Sequence, residues 1–257
     1  MSEMIDISYA LRQVGVLSSD WVMLHGDAGV AAQLKTIDPG MRILQMQQQL
    51  IQYMAPGTLL VPTFSYSFTK GENFDPNNTP SNVGKFSEFF RLLPGIKRTR
   101  HPIFSVATVG VGTREVMDAR LDDCFGPETV FDLLIQRNGK IVCLGCDFNR
   151  VTFVHYVEQK CAVRYRYNKK FAGMLIDGGR QTPLELDYLV RDINIKTTAD
   201  LSWLKSVAIK RGKLRVAQFG RFPIMSISAQ DFLELAIELL RQDEYALIEQ
   251  GASKYAI

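Results

Sequence analysis

The sequence predicts an α/β fold: a mostly parallel sheet covered by helices, with a β-hairpin added after it. Three observations predict it. Short apolar runs alternate with helix-period runs through the first 160 residues, as βαβ units require. Beyond them, extended runs at 171–177 and 182–190 are joined around Asp177-Gly178-Gly179, a hairpin turn signal. Finally, 257 residues at 46% hydrophobic and 22% charged content suffice for a large core, so 1–257 is expected to form a single domain with a mixed β/α portion from about 165.

In chain order, Ile7, Leu11 and Val14 recur at helical spacing until Gly15 stops them. Trp21–Leu24 is a short buried strand that runs into the glycine loop His25-Gly26-Asp27-Ala28-Gly29. Such a loop after a strand suits a phosphorylated ligand, although this one lacks G-x-G-x-x-G. Asp38-Pro39 starts a helix that ends at Pro56-Gly57, and Thr58–Pro62 is a second core strand. Alternating hydroxyls and aromatics make 63–69 a candidate strand, whereas 70–82 is rich in Gly, Asn, Asp and Pro and is a long loop. Helices follow near 85–93, 114–119 and 127–136, with strands at 103–110 and 141–144 between and after them. Past the hairpin, 201–209 reads as a helix, 214–219 as extended, and 226–240 as a strong helix capped by Ser228 and Asp231.

Several function classes are disfavoured. No run of about 18 apolar residues occurs and the start lacks a signal-peptide pattern, which points to a cytoplasmic protein off the membrane. A net charge of +3 from mixed signs does not imply nucleic acid. Cys143 and Cys146 form C-x-x-C, but no second pair completes a zinc site, and an apolar context makes them buried strand cysteines. His25, His101 and His155 lie too far apart in sequence to suggest a metal centre.

The chemistry concentrates in Thr152-x-x-His155-x-x-Glu158. On a helix this spacing puts the imidazole and the carboxylate on one face, within reach of each other or of one substrate. An ordinary surface His/Glu pair has the same spacing. Upstream, Arg98 and Arg100 sit with His101 just before a strand, a pairing of guanidiniums that suits phosphate oxygens as well as it suits a solvated turn.

Taken in order, Pro56-Gly-Thr-Leu-Leu-Val-Pro-Thr-Phe64, Phe74-Asp-Pro76 with Thr79-Pro-Ser-Asn-Val-Gly84, Arg98-Thr-Arg-His-Pro102 with Ser105, Phe125-Gly126, Leu144-Gly145 and the T-x-x-H-x-x-E resemble the antibiotic N-acetyltransferase family, best known for aminoglycoside 3-N-acetyltransferases. The resemblance runs from about Trp21 to Arg164. It implies a three-layer α/β/α domain around a mixed central sheet, and acyl transfer from an acyl-CoA thioester to an amine on a sugar. It implies that His155 is catalytic, that Glu158 belongs to the same motif, and that CoA is held by Arg98, Thr99 and Ser105, by Thr63 and Ser65, and by the loop at His25 and Asp27. Many members carry serines in that loop, so His25-Gly-Asp27 is a departure.

An imidazole near its ordinary pKa can take the proton of an attacking amine, so no protein nucleophile is needed. Hydroxyls at Thr63 or Ser65 could serve the oxyanion. Charge suggests the acceptor: with a pI near 8.6 and with Arg164, Tyr165, Arg166 and Tyr167 in one basic aromatic segment, the chain is expected to favour a nucleotide-linked deoxyamino sugar over a cationic aminoglycoside. The alternatives are an aminoglycoside 3-N-acetyltransferase using acetyl-CoA and a catalytically silent protein that binds CoA or a sugar nucleotide.

Overall fold

The computed structural model describes residues 6–35, 38–192, 194, 196–249 and 251. The chain opens with helix α1 (Ile7–Gln13), whose N-cap Asp6 accepts from Ser8 N–H, then strand β1 (Trp21–Gly26). Helix α2 (Arg42–Met54) follows a short turn capped by Asp38 and leads to β2 (Thr58–Pro62). Next come α3 (Lys85–Arg91), β3 (Lys97–Arg98), β4 (Val106–Gly110), α4 (Thr113–Met117), α5 (Val130–Gln136), β5 (Lys140–Leu144) and α6 (Val154–Lys160). A long hairpin, β6 (Arg166–Asp177) with β7 (Arg180–Arg191), precedes α7 (Ser202–Lys210), β8 (Arg215–Phe219), β9 (Phe222–Ser228) and α8 (Ala229–Gln242).

Seven strands form one mixed sheet in the order β3-β4-β2-β1-β5-β9-β8, and the hairpin stands as a separate two-stranded sheet. The expected mostly parallel pairing is corrected here. Only the β1–β2 and β1–β5 pairings are parallel; the other four are antiparallel. Parallel neighbours need crossovers, which the alternation in the first half supplies, whereas the antiparallel β3–β4 and β8–β9 pairs are joined by short connections and the antiparallel β2–β4 and β5–β9 pairs by long ones.

Residue alternation across the sheet builds the three layers. Val22, Leu24, Leu59 and Val61 face α1, α2 and α3, whereas Met23, Leu60, Ile141 and Cys143 face α5, α6, α8 and the hairpin residues Leu186 and Leu189. Two further expectations fail. Residues 63–69 are not a strand, because Tyr66 takes a left-handed φ of 57° and the chain turns at 68–70. The segment 222–228, partly assigned to the last helix, is the interior strand β9, and the helix starts only after Ser228, which accepts from Asp231 N–H.

The β1–β2–β5 arrangement matters for function. Their parallel pairing ends all three strands on the same side, at Gly26, Pro62 and Leu144. In open α/β sheets that carboxyl-end crevice is where ligands bind.

Candidate active site

A cavity of about 690 Å³ opens at that edge, lined by the loop after β1, by Pro62, Phe64 and Tyr66, by 82–87, and by Cys146, Asn149, Arg150 and Thr152. Two glycines shape the strand ends around it. A side chain at Gly26 would meet the Phe86 ring at 2.8 Å, and Gly145, with φ +69°, turns the chain where a Cβ would strike Val30.

The lining ends at Thr152, two residues before α6, the helix that carries His155 and Glu158; His155 itself is not among the lining residues. His155 Nδ1 lies 2.6 Å from Glu158 Oε2. The His155 side chain keeps 20% of its exposure, and that of Glu158 has none. The carboxylate is held from three sides: Tyr165 donates its hydroxyl to Oε1 at 2.9 Å, and Arg166 forms an ion pair at 2.7 Å. Burial alone would raise the Glu158 pKa, but His155 and Arg166 together hold it below the ordinary carboxylate range. A charged Glu158 fixes the proton on Nδ1, so Nε2 is the nitrogen left for a substrate. The imidazole packs against Phe125, with ring centroids 5.6 Å apart.

Of the residues anticipated for the cosubstrate, only His25 and Asp27 line the cavity. His25 is buried, which lowers its pKa to about 4, and Nε2 has no protein partner; Asp27 caps the following turn through Gly29 N–H at 2.6 Å. Arg98 is a correction. Its guanidinium is buried and donates to Thr63 O at 2.6 Å, to Ser105 Oγ at 3.1 Å, to Pro76 O at 3.2 Å and to Thr79 O, over the Phe74 ring. With those donors engaged it has no fork for a phosphate. Thr63 and Ser65 donate to the carbonyls of Ser105 and Pro102, and Thr99 accepts from Val106 N–H, so these hydroxyls are taken up in holding the segments around β2, β3 and β4 together. His101 is structural as well, its Nδ1 accepting from Phe104 N–H at 3.0 Å and from Ile103 N–H at 3.2 Å.

The anticipated acceptor platform dissolves in the same way. Tyr165 and Arg166 face Glu158, Arg164 pairs with Glu244, and Tyr167 is exposed, as its place on the strand pleat requires. The sequence makes 146–150 a polar turn at the edge of the site, which the cavity lining by Cys146, Asn149 and Arg150 matches, although the cysteine itself is also read as a buried strand residue. Cys146 lies on the turn after β5 and lines the cavity. Sequence reasoning missed Tyr66, Asn82 and Lys85 as cavity residues. Only the strand ends, read as one edge, could have pointed to these residues. Among the described residues no group of acidic, His and Cys side chains could hold a metal ion, and no helix is long and apolar enough to cross a membrane.

With this geometry in hand, the comparisons converge. The family model described as aminoglycoside 3-N-acetyltransferase matches residues 34–241. Aminoglycoside N(3)-acetyltransferase VII of Streptomyces paromomycinus is 31% identical over 114 residues, 42% of this chain and 38% of that protein, so the match spans about two fifths of that relative's length. Aminoglycoside N(3)-acetyltransferase IV of Salmonella sp is 27% identical over 191 residues, 73% of this chain and 69% of that protein. The solved structure of AAC-IIIb in a binary complex with CoASH superposes with a TM-score of 0.74 at 18% identity, covering 92% of this chain and 95% of that one, a likeness of fold. These findings overturn the expectation of a nucleotide-linked amino sugar. The charge that motivated it is spent on Glu158, Glu244 and Glu185, and does not form an open anion platform.

Proposed function

Because this chain belongs to the aminoglycoside 3-N-acetyltransferase family, we propose that it transfers an acetyl group from acetyl-CoA to an amino group of an aminoglycoside. The observation that carries this reading is the Tyr165–Glu158–His155 chain, built on the helix that starts two residues past the cavity residue Thr152: a buried, charged carboxylate also held by Tyr165 and Arg166 gives the imidazole one available nitrogen. His155 Nε2 takes the proton as the amine attacks the thioester carbonyl, and Glu158 stabilises the imidazolium that results. The C–S bond breaks and CoA leaves as a thiol. Because the Thr63 and Ser65 hydroxyls already donate to carbonyls, the oxyanion relies on Tyr66 or on backbone N–H groups of the cavity wall.

The cavity holds CoA. Lys85 and Arg150 on its wall supply positive charge for the pyrophosphate, the role first assigned to Arg98, and the unpartnered His25 Nε2 offers the ligand a hydrogen bond. The described elements on both faces of the sheet support this one site, and we take the chain as a single acyltransferase domain.

Thiol release from acetyl-CoA with an aminoglycoside panel is the test, with His155→Asn as the control. Turnover is expected to fall about 10²–10⁴-fold in the variant while CoA still binds. Turnover close to wild type in His155→Asn would remove His155 as the base, and no release with any aminoglycoside by a CoA-binding wild type would overturn the acceptor.

A further inference from the structure

We propose that Cys146 is a thiol-exchange site at which the cavity captures CoA covalently, as a mixed disulfide. This rests on the reading that the cavity holds CoA. Cys146 lies on the segment that leads from β5 through the wall residues Asn149, Arg150 and Thr152 to α6, so the protein thiol and His155 belong to one continuous stretch of chain. Among the described residues, no other cysteine lines this cavity. Its thiol donates to the His25 carbonyl oxygen at 3.3 Å, and the His25 ring, more than nine-tenths buried with Nε2 unpartnered, lines the same space. An unpartnered buried nitrogen there calls for a ligand's polar group next to the sulfur.

The surroundings also favour reaction. The neighbouring Cys143 and the positive charge of Arg150 hold the Cys146 thiol below its ordinary range, against burial and the opposing charge of Asp27. Cys143, buried in β5, is pushed the other way by the same pairing and by its burial, so it stays a thiol. The pair thus has one attacking sulfur that faces the cavity and one that does not.

The reaction is an exchange with CoA disulfide. The Cys146 thiolate attacks one sulfur of the CoA–S–S–CoA bond, a Cys146–S–S–CoA bond forms, and the second CoA leaves as a thiolate that takes up a proton from water. No further oxidant is required. The adduct occupies the cosubstrate cavity, so acetyl transfer stops until a reductant releases the CoA.

Reduced wild-type protein incubated with CoA disulfide should gain the mass of one CoA less two hydrogens by intact mass spectrometry, and dithiothreitol should reverse the gain. Peptide mapping should place it on Cys146; Cys143→Ser should retain it and Cys146→Ser should lose it. Exchange should run about tenfold or more faster than with glutathione disulfide, because CoA is bound before it reacts. An adduct mapped to Cys124 or Cys161, or equal rates for the two disulfides, would overturn the proposal. Calorimetry of CoASH binding to the reduced wild type separates the two levels. Binding without an adduct removes this inference alone, and no binding removes the CoA reading beneath it.

Discussion

Glu158 is a carboxylate with no exposed surface, and its charge survives only because His155, Tyr165 and Arg166 converge on it. Removing that charge leaves Arg166, whose side chain is 4% exposed, as an uncompensated buried cation. Glu158→Gln should therefore cost on the order of 3–5 kcal/mol at neutral pH by chemical denaturation. The sign with pH follows from the lowered pKa: the carboxylate's contribution is full above its unfolded value and is lost as pH falls through the folded one. The gap between wild type and Glu158→Gln should narrow on acidification, and a gap that stays constant to pH 3 would show that the charge is not what is lost. His101 behaves oppositely. Burial lowers its pKa to about 4, so the folded state binds its proton later than the unfolded chain does, and stability falls as pH drops from about 6.5 towards 4. His101→Asn keeps an acceptor for the N–H groups of Ile103 and Phe104 and removes the titration. Its stability should change less with pH over that window than the wild type's, and an unchanged slope would locate the acid sensitivity elsewhere.

At the scale of elements, what was legible followed pattern. Helices with a clear apolar stripe and a cap were readable, as α8 is from Phe232, Leu235, Ala236 and Leu239 behind Ser228. The hairpin was readable from Asp177-Gly178-Gly179. Strand β9 was not, because Pro223 near its start reads as a breaker, and its partners β5 and β8 are a pairing that no local window contains. The same limit applied to Arg98. Two close arginines in a sequence look like an anion site, and only the fold shows that the loop carrying Pro76 and Thr79 crosses over one of them. The His155–Glu158 pair, three residues apart on one helix, was visible, whereas Arg166 reaches Glu158 from the start of a hairpin and was assigned to the acceptor. Arg98 thus acts as a tie between β3, the backbone and hydroxyls at Thr63 and Ser105, and the 74–79 loop. Arg98→Lys keeps the charge but not the fork, and should destabilise by roughly 2–4 kcal/mol. Hydrogen exchange should rise selectively in 74–82, and protection there equal to wild type would mean the loop holds without the tie.

At the scale of the whole molecule, the error over the acceptor came from treating net charge as a property of the site. The chain carries +3, yet three cations of the basic segment after the motif are already paired: Arg166 with Glu158, Arg164 with Glu244, Lys170 with Glu185. Net charge acts at long range, on encounter, and is screened over about 10 Å at 0.1 M salt. It therefore says nothing about which amine docks at His155, but it does set how each substrate approaches. On the proposed activity, anionic CoA is drawn to a positive molecule whose cavity wall carries Lys85 and Arg150, while a polycationic aminoglycoside is weakly repelled until short-range contacts take over. The two substrates should respond to salt in opposite directions. Between about 0.01 and 0.15 M ionic strength, where the screening length shortens from roughly 30 to 8 Å, KM for acetyl-CoA should rise several-fold and KM for the aminoglycoside should stay level or fall. Steady-state kinetics across that range decide it. A parallel rise in both would mean that local carboxylates dominate the field the aminoglycoside meets, and that acceptor binding is steered by the cleft and not by the molecule that surrounds it.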